Sequence, residues 1–213
     1  MFNDITIPEP KSFFEDVARQ TGAGKDTFAD VKWGVGIIDF DNDTHRDIFI
    51  ACGHLIDNVE KIDSSLRYAA PNILLRNTGE GKFANISEQC GDGLLPKQSS
   101  RGAAFDDLDN DGDIDAIILN ARSAPTVIRN DSAPGNHWIQ IQLQGTQSNR
   151  DGIGARVTVR TGELFQIDEI HSGRSYQSDF GKRLHFGLGK QTFIDEIKVE
   201  WIGGEVDTVH QIQ

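Results

Sequence analysis

Two acidic segments with the same spacing of carboxylates hold the residues most suited to chemistry in this chain. Each reads Asp-x-Asp-x-Asp-x-x-x-Asp. Carboxylates packed this closely repel one another unless a cation lies among them, and Ca²⁺ suits such a site because it accepts about six to eight oxygen ligands in flexible geometry. A solvated acidic turn is the alternative, since Asp, Asn and Gly are ordinary turn residues. The predicted ligands are Asp39, Asp41, Asp43, the His45 carbonyl and Asp47 in the first loop, and Asp107, Asp109, Asp111, the Asp113 carbonyl and Asp115 in the second.

The flanking residues distinguish these loops from EF-hands. An EF-hand places a bidentate Glu at the twelfth loop position, whereas these loops have Ile50 and Ile118 there. Each loop leads into a short apolar run, at 48–51 and at 116–119. Short runs rich in β-branched residues indicate buried strands. We therefore expect a calcium loop between two strands in each case.

The second loop is predicted to be the stronger site. Its sixth position is Gly112, which tolerates a positive φ at little cost, whereas the first loop has the β-branched Thr44 there. The first loop also carries a positive charge at Arg46. We expect weaker ion binding at the first loop.

Composition indicates an acidic globular protein. The 213 residues are 37% hydrophobic and 25% charged, with a net charge of −12. The negative charge argues against a nucleic-acid partner, because phosphate binding requires an excess of Lys and Arg. No apolar stretch approaches the roughly 20 residues of a membrane span. The N-terminal residues 1–5 do not resemble a signal peptide, and Cys52 and Cys90 are expected to be buried free thiols rather than a disulfide bridge.

The acidic loops belong to a longer internal repeat. Each copy contains about four short apolar runs separated by turn residues, which is typical of a propeller blade. A second pattern begins after residue 136, where Ile139, Ile141 and Leu143 alternate with glutamines, and glycine-rich turns such as 187–189 separate the runs. This alternation predicts a small antiparallel sandwich or barrel. The matching repeat segments are 33–39 with 101–107, 13–22 with 82–91, and 72–77 with 126–130.

These motifs resemble two known families. The repeats resemble the FG-GAP/VCBS propeller repeats of integrin α-chain heads, and the tail resembles the ASPIC/UnbV domain of the cartilage acidic protein and UnbV family. The resemblance implies an all-β fold: two propeller-type blades over residues 10–133, then a β-sandwich or barrel over 134–213. Because relatives carry more repeats, the chain resembles the C-terminal part of a longer protein. The tail motifs are at 136–139, 151–156, 173–178, 184–189 and 199–204.

Two blades leave strand edges open, because propellers close with about four to eight blades. The open edges are predicted near Phe13–Val17 and Thr126–Asn130. Unpaired edges invite pairing with another chain. We therefore expect either a homo-oligomer through these edges or docking of the tail strand that begins at Trp138 against the second blade.

The resemblance implies a calcium-stabilised, non-catalytic module that is extracellular or at the cell surface and binds a protein or glycan. Two alternatives stay open: a calcium-dependent biosynthetic enzyme of UnbV type, such as a cyclase or hydrolase, and a structural piece of a larger secreted protein. The polar segment 171–176 either contacts a ligand or organises the tail domain.

Overall fold

The computed structural model of the protein describes residues 14–25, 27–132 and 135–212, and its regular structure is almost entirely strand. The prediction of an all-β fold is confirmed. A four-residue helix and two short 3-10 turns are the helical elements of these residues. The elements are α1 Ala18–Thr21, β1 Lys32–Ile38, β2 Asp47–Cys52, a 3-10 turn Val59–Lys61, β3 Ile73–Asn77, β4 Phe83–Asn85, a 3-10 turn Ser87–Gln89, β5 Ser100–Asp106, β6 Asp115–Asn120, β7 Thr126–Ile128, β8 His137–Gln142, β9 Arg156–Thr161, β10 Leu164–Glu169, β11 Arg183–Gly189, β12 Ile194–Glu200 and β13 Val206–Ile212.

The two repeats form two antiparallel sheets, with strand orders β1-β2-β3-β4 and β5-β6-β7. We call them the first and second blades. The repeat predicts four strands in each, but the second blade has three among the described residues. The chain after β7 turns toward the first blade instead, because the Asn130 amide and the Ser132 hydroxyl both donate to the Phe40 carbonyl, at 2.7 and 3.1 Å.

The blades pack face to face through their first strands. A Cβ on Gly34 would lie 2.8 Å from the Ala103 nitrogen, and one on Gly36 would lie 2.5 Å from the Phe105 ring. Glycine at both positions lets β1 approach β5 closely. The shared core contains an aromatic cluster in which Phe105 lies 5.3 Å from Phe49 with its ring edge-on. This packing fixes the two acidic loops, which follow β1 and β5, beside each other.

The two apolar runs after the loops are strands, as predicted, but they are not equally buried. In β2, five of the six residues are buried. In β6, only one face is buried, and Ile117 and Leu119 are 36% and 51% exposed. The prediction of a buried second strand is therefore wrong for one face. The reason is that the second blade packs on the first by one face, whereas β2 lies between the second blade and a separate apolar cluster around Ile73 and Leu75.

The blade edges also differ from the repeat pattern. Residues 14–17 form no strand, although their counterparts lie in or near β4, and Phe13 lies outside the described residues. At the other end, β7 is the last strand of the second blade. The tail strand β8 pairs with β11, not with β7. Whether the β7 edge mediates oligomerisation stays a prediction.

The C-terminal part is a sandwich of a four-stranded sheet, β10-β9-β12-β13, and a two-stranded sheet, β11-β8. We call it the tail domain. Its core includes Val157, Phe186 and Ile197, against which Ile139 and Ile141 pack as the period-two pattern predicted. The prediction of a turn at 187–189 is wrong, because these residues end β11 with an irregularity in its pairing to β8.

Both cysteines are free thiols, as expected. Cys52 is buried, but Cys90 is exposed, so the prediction that both are buried is wrong for Cys90. Cys90 follows the 3-10 turn at the surface end of the first blade, beyond the core packing of β2. No helix among the described residues is long and apolar enough to cross a membrane.

Candidate metal-binding loops

The first loop brings three of its predicted ligands together. It connects β1 to β2, and carboxylate oxygens of Asp39, Asp41 and Asp43 all lie within 4.8 Å of one another. The backbone holds Asp39 in place, because its two oxygens accept the N–H groups of Asp43 and Thr44 at 3.0 and 2.8 Å. The side chain of Asp39 is buried, so these oxygens face the inside of the loop rather than bulk water.

The second loop repeats this arrangement between β5 and β6. Oxygens of Asp107, Asp109 and Asp115 lie within 4.8 Å of one another. Asp107 accepts the N–H groups of Asp111 and Gly112 at 3.1 and 3.0 Å, at the positions equivalent to those that bind Asp39. Asp107 and Asp115 are almost fully buried, whereas Asp109 is exposed. A small cation between them would have one side open to water.

The remaining predicted ligands lie nearby but are not part of these two clusters. The ninth-position carboxylate of the first loop, Asp47, accepts the N–H groups of Phe40 and Asn77. The fifth-position carboxylate of the second loop, Asp111, accepts the N–H of Asp113 at 2.9 Å. The seventh-position residues His45 and Asp113 were predicted to contribute their backbone carbonyls. Their coordination remains a prediction.

Backbone conformation separates the two loops as predicted. Thr44 adopts a φ of 82° and Gly112 one of 96°, at the same position of the repeat. A β-branched residue in this left-handed region is strained, by on the order of 1–3 kcal/mol. The fourth positions, Asn42 and Asn110, also have positive φ values, of 57° and 62°. Asparagine is tolerated there better than most residues, so the strain is specific to Thr44.

Burial and mutual repulsion disfavour the ionised form of the carboxylates in the first loop. Burial raises the pKa of Asp39 to about 7, and repulsion from Asp43, Asp41 and Asp47 adds to the shift against the opposing effect of the Thr44 hydrogen bond. Burial likewise raises the pKa of Asp47 to about 6. In the second loop, burial and the charge of Asp111 raise the pKa of Asp113 to about 6. Divalent cations remove this kind of repulsion by neutralising the anions.

An arginine competes for the first loop. The Arg76 guanidinium lies 2.8 Å from Asp41 and 3.4 Å from Asp43. Its repeat counterpart, Arg129, instead pairs with Asp131 at 2.9 Å. Arg76 thus partly neutralises the first loop, whereas among the described residues no arginine or lysine forms an ion pair with Asp107, Asp109, Asp111 or Asp115. The Arg76 contact supports the expected weaker ion affinity of the first loop. It could not be read from the loop sequence, because Arg76 lies outside the loop.

The donor set fits a hard cation. One oxygen of Asp41, Oδ1, is buried and has no hydrogen-bond partner. An unpaired buried carboxylate oxygen is costly, and an ion would provide its missing partner. Carboxylate and carbonyl oxygens are the ligands that Ca²⁺ prefers. When bound, Ca²⁺ would supply positive charge that holds the loop residues together.

The tail domain covers the second loop through β8, a contribution that the loop motif does not predict. A Cβ on Gly112 would lie 1.9 Å from the Trp138 indole nitrogen, so glycine is required for this contact. The Gln140 amide donates to an oxygen of Asp107 at 2.8 Å. The tail strand β8 was expected to dock against the second blade. It contacts the acidic loop of that blade and pairs with β11 rather than with the β7 edge. The sequence offered one sign of this contact: residues 138 and 140 alternate with the core residues Ile139 and Ile141, so they lie on the other face of β8.

The neighbouring strand β11 contacts both loops with alternate residues. Arg183 donates to the side chains of Asp106 and Asn110 and to the Asp107 carbonyl. His185 lies 2.6 Å from the Asn42 side chain. A Cβ on Gly187 would lie 2.1 Å from an oxygen of Asp39, so only glycine fits there. These contacts join the tail domain to both candidate sites.

The polar segment 171–176 connects the tail to the first blade. The Ser175 hydroxyl accepts the Val35 N–H at 2.7 Å, and the Tyr176 ring lies 4.9 Å from that of Trp33. Arg101 lies over the same indole, 4.7 Å from its centre. These contacts support the organising role for this segment over the ligand-contacting one.

Three of the cavities in the described part of the chain differ in size and lining. A cleft of about 40 Å³ between the blades and the tail is lined by Asp39, Arg46 and Asp168, among others. A groove of about 430 Å³ follows the second blade beside Phe180 and Lys182. A third, of about 500 Å³, lies on the far side of the first blade.

Comparisons with known families agree with these structural divisions. Residues 145–213 match the family model described as ASPIC and UnbV. Residues 39–118, which include both acidic loops, match the model described as FG-GAP-like repeat. The first part of the chain is therefore similar to FG-GAP-like repeats and the tail to ASPIC and UnbV, and the predicted resemblance is confirmed.

Curated relatives cover most of the chain. Cartilage acidic protein 1 of Homo sapiens is 27% identical over 174 residues, which is 79% of this chain and 24% of that protein. The Mus musculus and Xenopus tropicalis proteins of the same name are each 26% identical, over 79% and 80% of this chain and 25% of their own length. The chain spans about a quarter of the length of these relatives.

Proposed function

We propose that this chain is a calcium-stabilised, non-catalytic interaction module that binds a protein or glycan outside the cell. The observation that carries the calcium assignment is the convergence of three carboxylates in each loop, with one buried oxygen of Asp41 unpartnered. Calcium binding is also common in proteins built from repeats of this kind. The ion would stabilise the blades and fix the tail domain, which contacts both loops.

The names of the relatives and the high calcium concentration outside cells support an extracellular setting. The relatives are named for cartilage and for their acidity, and this chain has a net charge of −12. Extracellular calcium modules work with dissociation constants of about 10⁻⁴–10⁻³ M. Even a site weakened by Arg76 would fill under such conditions.

An interaction module is preferred to the enzyme of UnbV type. The reason is that the carboxylates lining the groove beside Phe180 and Lys182 are engaged in structural contacts. Asp106 pairs with Arg183 at 2.8 Å, and Asp179 accepts the Gly173 N–H at 3.0 Å. A general acid–base pair requires groups free to exchange protons with a substrate. The alternative of a structural role within a larger secreted protein is based on the match to only about a quarter of the relatives' length. Such a role is compatible with binding a protein or glycan.

The exposed face of the second blade is the best candidate for ligand contact. Ile117, Leu119 and Val127 lie on it with between about a third and two thirds of their surface exposed. Exposed apolar side chains that cluster mark interaction surfaces. The negative net charge favours a neutral or basic ligand over a polyanion such as nucleic acid. A homo-oligomer through the β7 edge is a further proposal for the same region.

Thermal unfolding with and without a chelator tests the calcium assignment. An ion that binds only the folded state stabilises it by about 2.7 kcal/mol at a hundredfold excess over the dissociation constant. We expect chelator to lower the melting temperature and added Ca²⁺ to restore it. Asp111→Ala should remove most of this response. Superimposable melting curves in chelator and in millimolar Ca²⁺ would contradict the proposal.

A further inference from the structure

The side chain of Asn42 links the two candidate calcium loops directly. Its Nδ2 donates to the Gly112 carbonyl at 3.1 Å and to a carboxylate oxygen of Asp113 at 3.2 Å, both in the second loop. Its Oδ1 lies 2.6 Å from His185 Nε2 in the tail domain. The residue is only 4% exposed. Every polar atom of the Asn42 side chain is therefore committed to a structure outside its own loop.

The equivalent residue of the second loop lacks this link. Asn110 has nearly the same φ and the same loop position as Asn42, but its side chain accepts a hydrogen bond from Arg183 in the tail domain. Asn110 is exposed. The repeat therefore places an asparagine at the fourth position of both loops, but only Asn42 forms hydrogen bonds to the other loop.

The contacts of Asn42 lie next to predicted ion ligands at both ends. Within its own loop it stands between Asp41 and Asp43, and across the gap it holds Asp113, whose backbone carbonyl is a predicted ligand. A change of backbone position in either loop on ion binding must therefore change the hydrogen bonds made by Asn42.

The tail domain keeps this link rigid. The Asn42 carbonyl accepts the Gly189 N–H at 2.9 Å. His185, which contacts Asn42, stacks on Trp138 at 5.9 Å, and Trp138 covers Gly112. Asn42 thus contacts β11, Gly112 contacts β8, and these two strands pair with each other. Ordering of one loop then reduces the conformational freedom that the other loop must lose on binding.

We propose that Asn42 couples the two loops energetically, so that an ion in the first loop raises the affinity of the second loop. The inference rests on the proposed calcium binding. Coupling between sites is typically about 5- to 150-fold in affinity, and it is reciprocal. We place this coupling near the lower limit, because a single side chain carries it.

Terbium binding to the full chain tests the coupling at one defined loop. Tb³⁺ replaces Ca²⁺ at oxygen sites, and its luminescence is sensitised by a nearby indole, so Trp138 reports on the second loop. Trp138→Phe should remove this signal. Asp41→Ala, which disables the first loop, should weaken Tb³⁺ binding at the second loop by about fivefold in the otherwise native chain.

The Asn42→Gly variant removes the link while allowing the positive φ. In that background, Asp41→Ala should leave the Tb³⁺ affinity of the second loop unchanged. Asn110→Gly is the matched control and should preserve the fivefold dependence. Asn42→Ala, which removes the same donor and adds no charge, should behave like Asn42→Gly. Near-ultraviolet circular dichroism checks that each variant is folded.

The outcomes separate this inference from the proposed function. Binding at both loops with no effect of Asp41→Ala on the second overturns the coupling and leaves calcium binding intact. Coupling that persists in folded Asn42→Gly overturns the role of Asn42. Absence of any Tb³⁺ or Ca²⁺ binding to the native chain overturns the calcium assignment and the coupling together.

Discussion

The two acidic loops have the same carboxylate spacing but different surroundings. In the first loop, a strained threonine replaces glycine, and the guanidinium of Arg76 reaches two of the carboxylates. In the second loop, glycine takes the positive φ, and the equivalent Arg129 is held by Asp131 instead. The repeat of the first loop has Thr78 where the second has Asp131. Thr78 offers Arg76 no carboxylate at this position, whereas Asp131 pairs with Arg129.

The shared spacing of carboxylates predicts the same ion for both loops, whereas the different neighbouring residues predict different affinities. The first loop is more deeply covered by the tail domain, since Gly187 lies against Asp39. The second is contacted by Trp138 and Gln140 but leaves Asp109 exposed. We expect the second loop to bind Ca²⁺ more tightly.

The largest expected effect comes from exchanging the sixth-position residues. Gly112→Thr places a β-branched side chain at a φ of 96° and forces it into the Trp138 indole. Backbone strain and overpacking together should lower the free energy of unfolding by about 2–5 kcal/mol. The reverse exchange, Thr44→Gly, should raise it by about 1 kcal/mol. Urea unfolding in chelator measures both free energies of unfolding. Equal changes of the same sign would contradict the difference in backbone strain between the two loops.

The second effect is a pH dependence of the ion-free protein. The pKa of Asp39 is raised to about 7 in the fold, above its unfolded value of about 3.9. Between these two pKa values the folded state binds more protons than the unfolded state. The free energy of unfolding therefore falls as pH rises through this range, by up to about 1.4 kcal/mol per pH unit. In chelator, the melting temperature should rise as pH is lowered from 8 to 5.

Asp39→Asn is the control for this pH dependence. It removes the titrating carboxylate with the highest pKa in the first loop while keeping a side chain of similar size, so it should flatten the increase in melting temperature. Saturating Ca²⁺ should flatten it as well, because the ion keeps the carboxylates ionised. A melting temperature in chelator that falls steadily from pH 8 to pH 5 would contradict the electrostatic description of the first loop.

The third effect concerns the internal cation. Arg76→Ala removes the guanidinium that pairs with Asp41 and Asp43. Calcium affinity at the first loop should rise about tenfold, which corresponds to about 1.4 kcal/mol. Arg129→Ala is the matched control, and the affinity of the second loop should change by less than about twofold, since Arg129 pairs with Asp131 at the exposed surface. Isothermal calorimetry distinguishes the two results.

The smallest effect tests why the two arginines differ. Asp131→Thr gives the second repeat the residue of the first at this position and frees Arg129 to approach the second loop. Calcium affinity there should fall by about threefold, an effect within the range of a surface ion pair. In the double variant with Arg129→Ala the decrease should vanish. A decrease that persists in the double variant would show that Asp131 acts on the loop by another route.

Local sequence patterns predicted the fold and the loops more fully than the contacts around them. The period-two alternation at Ile139 and Ile141 located a tail strand, and the glycine at position 112 predicted its positive φ. These features depend on neighbours along the chain. The exposure of Ile117 and Leu119 was missed because it depends on which blade face finds a partner.

Long-range contacts at the site could not be predicted. Arg76 reaches a loop 33 residues earlier, and Gln140 donates to an aspartate 33 residues before it. Asn42 and His185 are 143 residues apart. Nothing in the spacing of the sequence indicates such pairs. The Arg76 contact joins β3 to a loop within the first blade, whereas the Gln140 and His185 contacts are created by the packing of the tail domain on the blades. The same packing turns the expected glycine turn at 187–189 into a strand against the first loop.

A crystal structure of the chain with one molar equivalent of Ca²⁺ tests the central claim most directly. We expect an ion in the second loop, bound by oxygens of Asp107, Asp109, Asp111 and Asp115 and by the Asp113 carbonyl at about 2.3–2.6 Å. The first loop should be filled only when more Ca²⁺ is added. An ion found first among Asp39, Asp41 and Asp43, or no ion in either loop at saturating Ca²⁺, would contradict it.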